Sequence, residues 1–188
     1  MNNTVRRRLV AVVGNSHLGQ DDPKIALAQE VGRLLVDSGY RVVTGGLGGV
    51  MAGAMEGART SSKYAEGDTI GILPGYDPNE ASPSADIVLA TGMNLARNLI
   101  VANSDGLIVI GGGAGTLSEI ALAWQMRRPI VALSADGWGN RLCESRIDDR
   151  IRQTDLADDQ VYAAVSPAAA VQLITELMPR YAKRMRYV

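Results

Sequence analysis

The chain has 188 residues, 46% of them apolar and 21% charged, with a formal net charge of −1. A chain of this length buries roughly 70% of the surface its unfolded form exposes, and this composition excludes a disordered, membrane-embedded or polyanion-binding protein. The single cysteine, Cys143, excludes an internal disulfide and fits a reducing compartment.

The opening MNNTVRRRLVAVVG imitates a secretory leader, but its apolar run, residues 9–13, is too short and passes into GNSHLG without a small-residue cleavage site. No later apolar segment approaches the roughly 20 residues that span a bilayer. The expectation is a cytoplasmic protein with neither a membrane nor a nucleic acid as partner.

Short apolar runs at 9–13, 40–44, 69–73, 87–89, 107–110 and 129–133 lack in–out alternation, as strands buried on both faces of a parallel sheet do. Helix signals separate them. Asp21 or Asp22 can cap a helix with Pro23 in its first turn, Leu27, Val31, Leu34 and Leu35 form its apolar face, and Gly39 stops it. Further helices are expected at 50–59, 94–103 and 116–125, and a last one begins after Ser166 with Ala170, Val171, Ile174 and Leu177 as its apolar face. Residues 76–86, with Pro78 and Pro83, read as a loop, and 136–160 as a polar segment with one short helix around 142–152. With no internal repeat and no long linker, the alternation predicts one α/β domain over residues 1–188, doubly wound, its mostly parallel sheet of about six to seven strands flanked by helices.

Two of the strand-to-helix turns are rich in glycine. One carries Gly45, Gly46, Gly48 and Gly49, the other Gly111, Gly112, Gly113 and Gly115. Glycine lets backbone amides approach a ligand, and a helix start adds unpaired N–H groups and about half a positive charge, so each turn suits phosphate. Neither turn fits G-x-G-x-x-G, and the absence of a Gly-Lys pair excludes a Walker A loop. The alternative for each turn is close packing of helix on sheet.

Thr116-x-x-Glu119 reads as a capping box. Leu117, Ile120, Ala121 and Trp124 read as the core face of that helix, which leaves Glu119 off the core at the pocket mouth. Arg97 stands early in a helix, where the macrodipole disfavours a cation, so it either pairs with an acid or anion or is an exposed arginine of no consequence. Asn15, Ser16 and His17 follow the first strand and reach the same sheet edge, where His17 reads as solvated. One His and one Cys make no metal site. The tail RYAKRMRY reads as a solvated basic helix end.

The motifs GGLGGVMAGAMEGA, GILPG, GMNLARN and GGGAGTLSE, in this order, resemble the Lonely Guy (LOG) superfamily of Rossmann-like proteins, and within it the molybdenum-cofactor-carrier-like branch. The enzymes of that superfamily cleave the N-glycosidic bond of cytokinin riboside and other nucleoside 5'-monophosphates, with the signature P-G-G-x-G-T-x-x-E after an Arg-Lys pair. Gly112, Gly113, Gly115, Thr116 and Glu119 match the signature and Arg97 the arginine. Gly111 replaces the proline, Asn98 the lysine and Asn94 a histidine common in the enzymes, and the spacing from Arg97 to Asp105 is one residue short. The triple glycine and Arg-Asn pair are what the carrier-like branch shows, and its members bind a phosphorylated pterin without turnover.

The resemblance implies a ligand-facing set of Asn15, Ser16, Gly45, Gly46, Gly48, Gly49, Met51, Arg97, Asn98, Gly112, Gly113, Gly115 and Thr116. Arg97 and Glu119 are catalytic only if the protein is an enzyme. It further implies no required cofactor, a molybdopterin-type or nucleoside-monophosphate ligand, and a homo-oligomer, dimer or tetramer. Three functions stay open: a carrier, a phosphoribohydrolase, and an adaptor with a vestigial pocket.

Overall fold

Asp22 shows how local chemistry sets the first helix: its Oδ1 accepts a hydrogen bond from the Lys24 amide at 2.9 Å, Pro23 occupies the first turn, and Gly39, at φ 84°, ends the segment. In the computed structural model, which describes residues 6–181, the elements are β1 (Leu9–Gly14), α1 (Pro23–Asp37), β2 (Arg41–Thr44), α2 (Val50–Arg59), β3 (Thr69–Leu73), β4 (Ile87–Ala90), α3 (Asn98–Ala102), β5 (Gly106–Ile110), α4 (Ala114–Gln125), β6 (Ile130–Leu133), α5 (Trp138–Arg141), β7 (Val161–Ala164) and α6 (Pro167–Arg180). The seven strands form one sheet in the order β4-β3-β2-β1-β5-β6-β7, and every pairing in it is parallel.

Because β1 is paired by both β2 and β5, the strand order reverses beside it, and the carboxyl ends of β1 and β5 border the crevice where doubly wound sheets hold ligands. Side chains alternate between two cores. Val10 and Val12 face the layer of α1, α2 and α6, whereas Ala11 and Val13 face that of α3 and α4 with Ile120 and Trp124. Covered on both faces, β5 and β6 are wholly buried, which explains their unbroken apolar sequences. This is a single Rossmann-like α/β domain. Among the described residues no helix is long and apolar enough to cross a membrane.

Four expectations are corrected. The segment 136–160 holds no helix at 142–152. Its short helix is α5, and Arg152 then turns inward, its guanidinium 3.4 Å from the Trp124 ring centroid and paired with Asp159 at 2.5 Å. No strand was expected at Val161–Ala164, which forms β7 and pairs with β6 in parallel. The expected helix at 94–103 is a 3₁₀ turn, Asn94–Arg97, followed by α3, because Asn94 enters at φ 50°. α4 begins at Ala114 behind Gly113, two residues before the expected cap. The loop at 76–86 is as expected apart from a 3₁₀ turn, Pro78–Glu80. Beyond Tyr181 the basic tail lies outside the described residues, as does the start of the basic N-terminal segment.

Candidate ligand-binding site

Across the carboxyl ends of the strands lies a cleft of ≈ 490 Å³. The end of β1 and the turn after it contribute Gly14, Asn15, Ser16 and His17, the β2–α2 turn and start of α2 contribute Leu47 and Met51, and the β5–α4 turn and first turn of α4 contribute Gly113 to Thr116. Arg97 and Glu119 lie within it.

The start of α4 is bare. Among the described residues no side chain caps it, and Thr116, as the third helical residue, donates its hydroxyl to the Gly14 carbonyl at 3.2 Å. The capping-box expectation for Thr116 and Glu119 is thus corrected. The first-turn amides have no partner inside the helix and add the positive end of its dipole. Trp138 and Gly139 donate their amides to the carbonyls of Gly112 and Gly111, both at 3.0 Å, and so brace the turn from behind.

The glycines divide into two groups. A Cβ on Gly49, already at φ 62°, would stand 2.2 Å from the Asn15 carbonyl oxygen, and one on Gly45 would stand 2.4 Å from Arg97 Nη2. Gly112, at φ 97°, has its amide engaged at 2.8 Å by Asn15 Oδ1. These three serve backbone geometry and close approach. Gly113 and Gly115 differ: a Cβ on either would meet nothing within 4 Å, and neither has positive φ. Neither packing nor backbone requires glycine there.

Glu119 is buried, not at the cleft mouth. The core face of α4 is Thr116, Glu119, Ile120, Ala123 and Trp124, while Ala121 is exposed, which corrects the expected face. Glu119 Oε1 accepts from Arg97 Nη1 at 3.1 Å, and the same nitrogen donates to Asn98 Oδ1 at 2.7 Å. Arg97 Nε is buried and has no hydrogen-bond partner among the described residues. Burial raises the Glu119 carboxyl to about 7, against the pull of the Arg97 charge, and burial likewise lowers the Arg97 guanidinium. Both shifts have one cause: desolvation outweighs mutual attraction. The result is a carboxyl that can exchange a proton near neutral pH.

Of the ligand-facing set, Asn15, Ser16, Met51, Arg97, Asn98, Gly113, Gly115 and Thr116 line the cleft. Gly45, Gly46, Gly48, Gly49 and Gly112 are not among its lining residues. Gly46 instead packs against Leu73 and Gly71, and Gly48 lies near the Ser16 carbonyl. The sequence reading did not place Leu47, Pro74, Leu95 or Ala114 at the site. The GILPG motif, which contains Pro74, was the available signal for one of them. His17, read as solvated, also lines the cleft, with Nδ1 2.9 Å from Ser16 Oγ. Among the described residues no group of three or more His, Cys, Asp or Glu is placed to hold a metal ion.

Residues 7–171 match the family model described as the SLOG cluster4 family. Among solved structures, the molybdenum cofactor binding protein from the phototrophic bacterium Rippkaea orientalis is 31% identical, with a TM-score of 0.75 over 93% of this chain and 99% of that one. The molybdenum cofactor carrier protein from Chlamydomonas reinhardtii is 30% identical, with a TM-score of 0.72 over the same shares. The cytokinin riboside 5'-monophosphate phosphoribohydrolase LOG of Oryza sativa subsp. japonica is 26% identical over 189 residues, covering 94% of this chain and 76% of the relative.

Proposed function

The chain belongs to the SLOG cluster4 family, and from that premise we propose that it binds a phosphorylated ligand of the nucleotide or pterin class and carries it without turnover. The phosphate sits at the start of α4 and Arg97 helps to orient the ligand. The observation that carries this reading is the pair Gly113 and Gly115, which leave the uncapped helix start bare although nothing in the packing excludes a side chain. An anion accepting those amides gains hydrogen bonds and the helix dipole together. The likeness to two molybdenum cofactor proteins supports a pterin as the cargo.

A second reading, hydrolysis of a nucleoside 5'-monophosphate to base and ribose 5-phosphate, is favoured by the Glu119 carboxyl, whose pKa of about 7 suits proton transfer. Against it, Glu119 is the one carboxylate among the described residues that lines the cleft, whereas glycoside cleavage commonly uses two. Calorimetry with molybdopterin and with nucleoside 5'-monophosphates, paired with an assay for released base, separates the readings. Binding without base release is expected. Base release abolished by Glu119→Gln would establish the hydrolase, and failure to bind any of these ligands would leave the adaptor.

The protein also acts as a homo-oligomer in this reading. Ile87 and Leu89 on β4, and Met93, Leu95, Leu99 and Ile100 in and around the 3₁₀ turn and α3, are exposed apolar side chains. Sedimentation should give a dimer or tetramer, and a monomer would end this part of the reading.

A further inference from the structure

The cleft differs chemically from end to end. One end is the bare start of α4 after β5, and the other is built from Leu47 and Met51 after β2, Pro74 after β3 and Leu95 in the 3₁₀ turn that follows β4. From β5 the sheet takes two interstrand steps to β2 and three to β3, about 10 and 14 Å. A phosphate bound at α4 therefore leaves the apolar end for a remote part of the same ligand, farther away than a sugar alone extends.

Three carboxamides line this cleft, and that of Asn15 is committed to the Gly112 amide, which its Oδ1 accepts at 2.8 Å. That of Asn98 is buried and committed, its Nδ2 donating to Ser118 Oγ at 2.8 Å and its Oδ1 accepting from Arg97. That of Asn94 is exposed and makes no hydrogen bond among the described residues. Asn94 has φ 50°, a conformation asparagine commonly adopts because its side chain can bond locally. Here that local bond is missing. The backbone is nonetheless held, because the Asn94 amide donates to the Pro74 carbonyl at 3.0 Å. In the 3₁₀ turn Asn94–Arg97, residues i and i+3 eclipse, which sets Asn94 on the same edge as Arg97.

We propose that Asn94 is a specificity-determining residue, whose carboxamide reads the edge of a planar heterocycle carrying a hydrogen-bond donor and acceptor side by side. This rests on the phosphate-binding reading above. A carboxamide presents one acceptor and two donors in one plane, so it matches such an edge with two hydrogen bonds. The apolar wall of Leu47, Met51, Pro74 and Leu95 takes the ring faces. The ligand class is thus a phosphate joined through a spacer to a ring with an amide-like edge.

The test is calorimetry on wild type and Asn94→Gly with three probes: guanosine 5'-monophosphate, purine riboside 5'-monophosphate, which keeps the fused ring but lacks the donor, and ribose 5-phosphate. Glycine keeps the positive φ and removes only the carboxamide. Wild type should prefer the guanosine compound over the purine riboside by about 10-fold or more, as expected for a bidentate contact. Asn94→Gly should erase that preference and leave ribose 5-phosphate affinity unchanged. A preference that survives in Asn94→Gly overturns the proposal. Equal wild-type affinity for all three probes also overturns it while leaving the phosphate site standing. If wild type binds none of them, the phosphate reading falls and this inference falls with it.

Discussion

Arg97 and Glu119, 22 residues apart in sequence, meet at 3.1 Å within the cleft and link the 3₁₀ turn before α3 to the second turn of α4. Both side chains are about nine-tenths buried, so the pair is part of the packed interior as well as the site. Removing one partner from such a pair leaves an uncompensated charge and costs about 3–5 kcal/mol. Glu119 can avoid part of that cost by taking up a proton, so Arg97→Met should destabilise less at pH 6 than at pH 8, as measured by urea unfolding.

The pH dependence of wild type has a defined sign. The folded pKa of Glu119 is about 7 against an ordinary 4.5, so the folded state binds the proton more tightly. The resulting stability is fully present below about pH 4.5 and is lost as pH rises through 7, amounting to about 3 kcal/mol at most. Glu119→Gln should remove this part of the slope. Identical slopes for the two proteins between pH 5 and 8 would refute the buried carboxyl as its source.

The two groups of glycines should respond in opposite ways to alanine. Gly49→Ala, forced into positive φ and against the Asn15 carbonyl, should cost about 2 kcal/mol or more. Gly113→Ala and Gly115→Ala should change stability by no more than about 1 kcal/mol. Because they place a methyl beside the first-turn amides, both should nonetheless weaken nucleotide binding about 10-fold. Unchanged calorimetric affinity in both variants would remove the α4 start from the site.

Asn15 positions the second glycine turn by accepting the Gly112 amide at 2.8 Å. Asn15→Ala leaves that amide without its partner and should cost about 1–3 kcal/mol. Asn15→Asp keeps the acceptor and should retain most of the stability. Amide exchange at Gly112 is the direct readout: it should accelerate in the alanine variant and stay slow in the aspartate variant.

Away from the cleft, Arg152 holds the 143–160 segment against the end of α4. Its guanidinium donates to the Arg128 carbonyl at 3.0 Å, stacks on Trp124 and pairs with Asp159, which also accepts from the Tyr181 hydroxyl. Arg152→Met should cost about 3–5 kcal/mol, and adding Asp159→Asn should restore part of it. Additive losses in that cycle would show that the two residues do not act as a pair.

Much of this was legible in the sequence because it depends on neighbours. Asp22 before Pro23, and the apolar runs of β5 and β6, give their signals within a few residues. Glu119 was misread for the same reason. Thr116-x-x-Glu119 satisfies a local capping pattern, and Ile120 and Trp124 belong equally to the expected face with Ala121 and to the observed face with Ala123. Only the approach of Arg97 from another segment separates those alternatives. The Arg152 turn is hidden in the sequence because the Arg128 carbonyl and the Trp124 ring that hold it stand more than 20 residues away.

The sequence by itself determined the α/β alternation, the parallel sheet and the two glycine turns at one edge, because strand burial and helix starts are encoded in short patterns. The tertiary structure alone decided which glycines stand free of packing and that Glu119 faces Arg97 in the interior. Those outcomes depend on which groups arrive within hydrogen-bond reach once water is excluded, and the spacing of residues along the chain does not specify that.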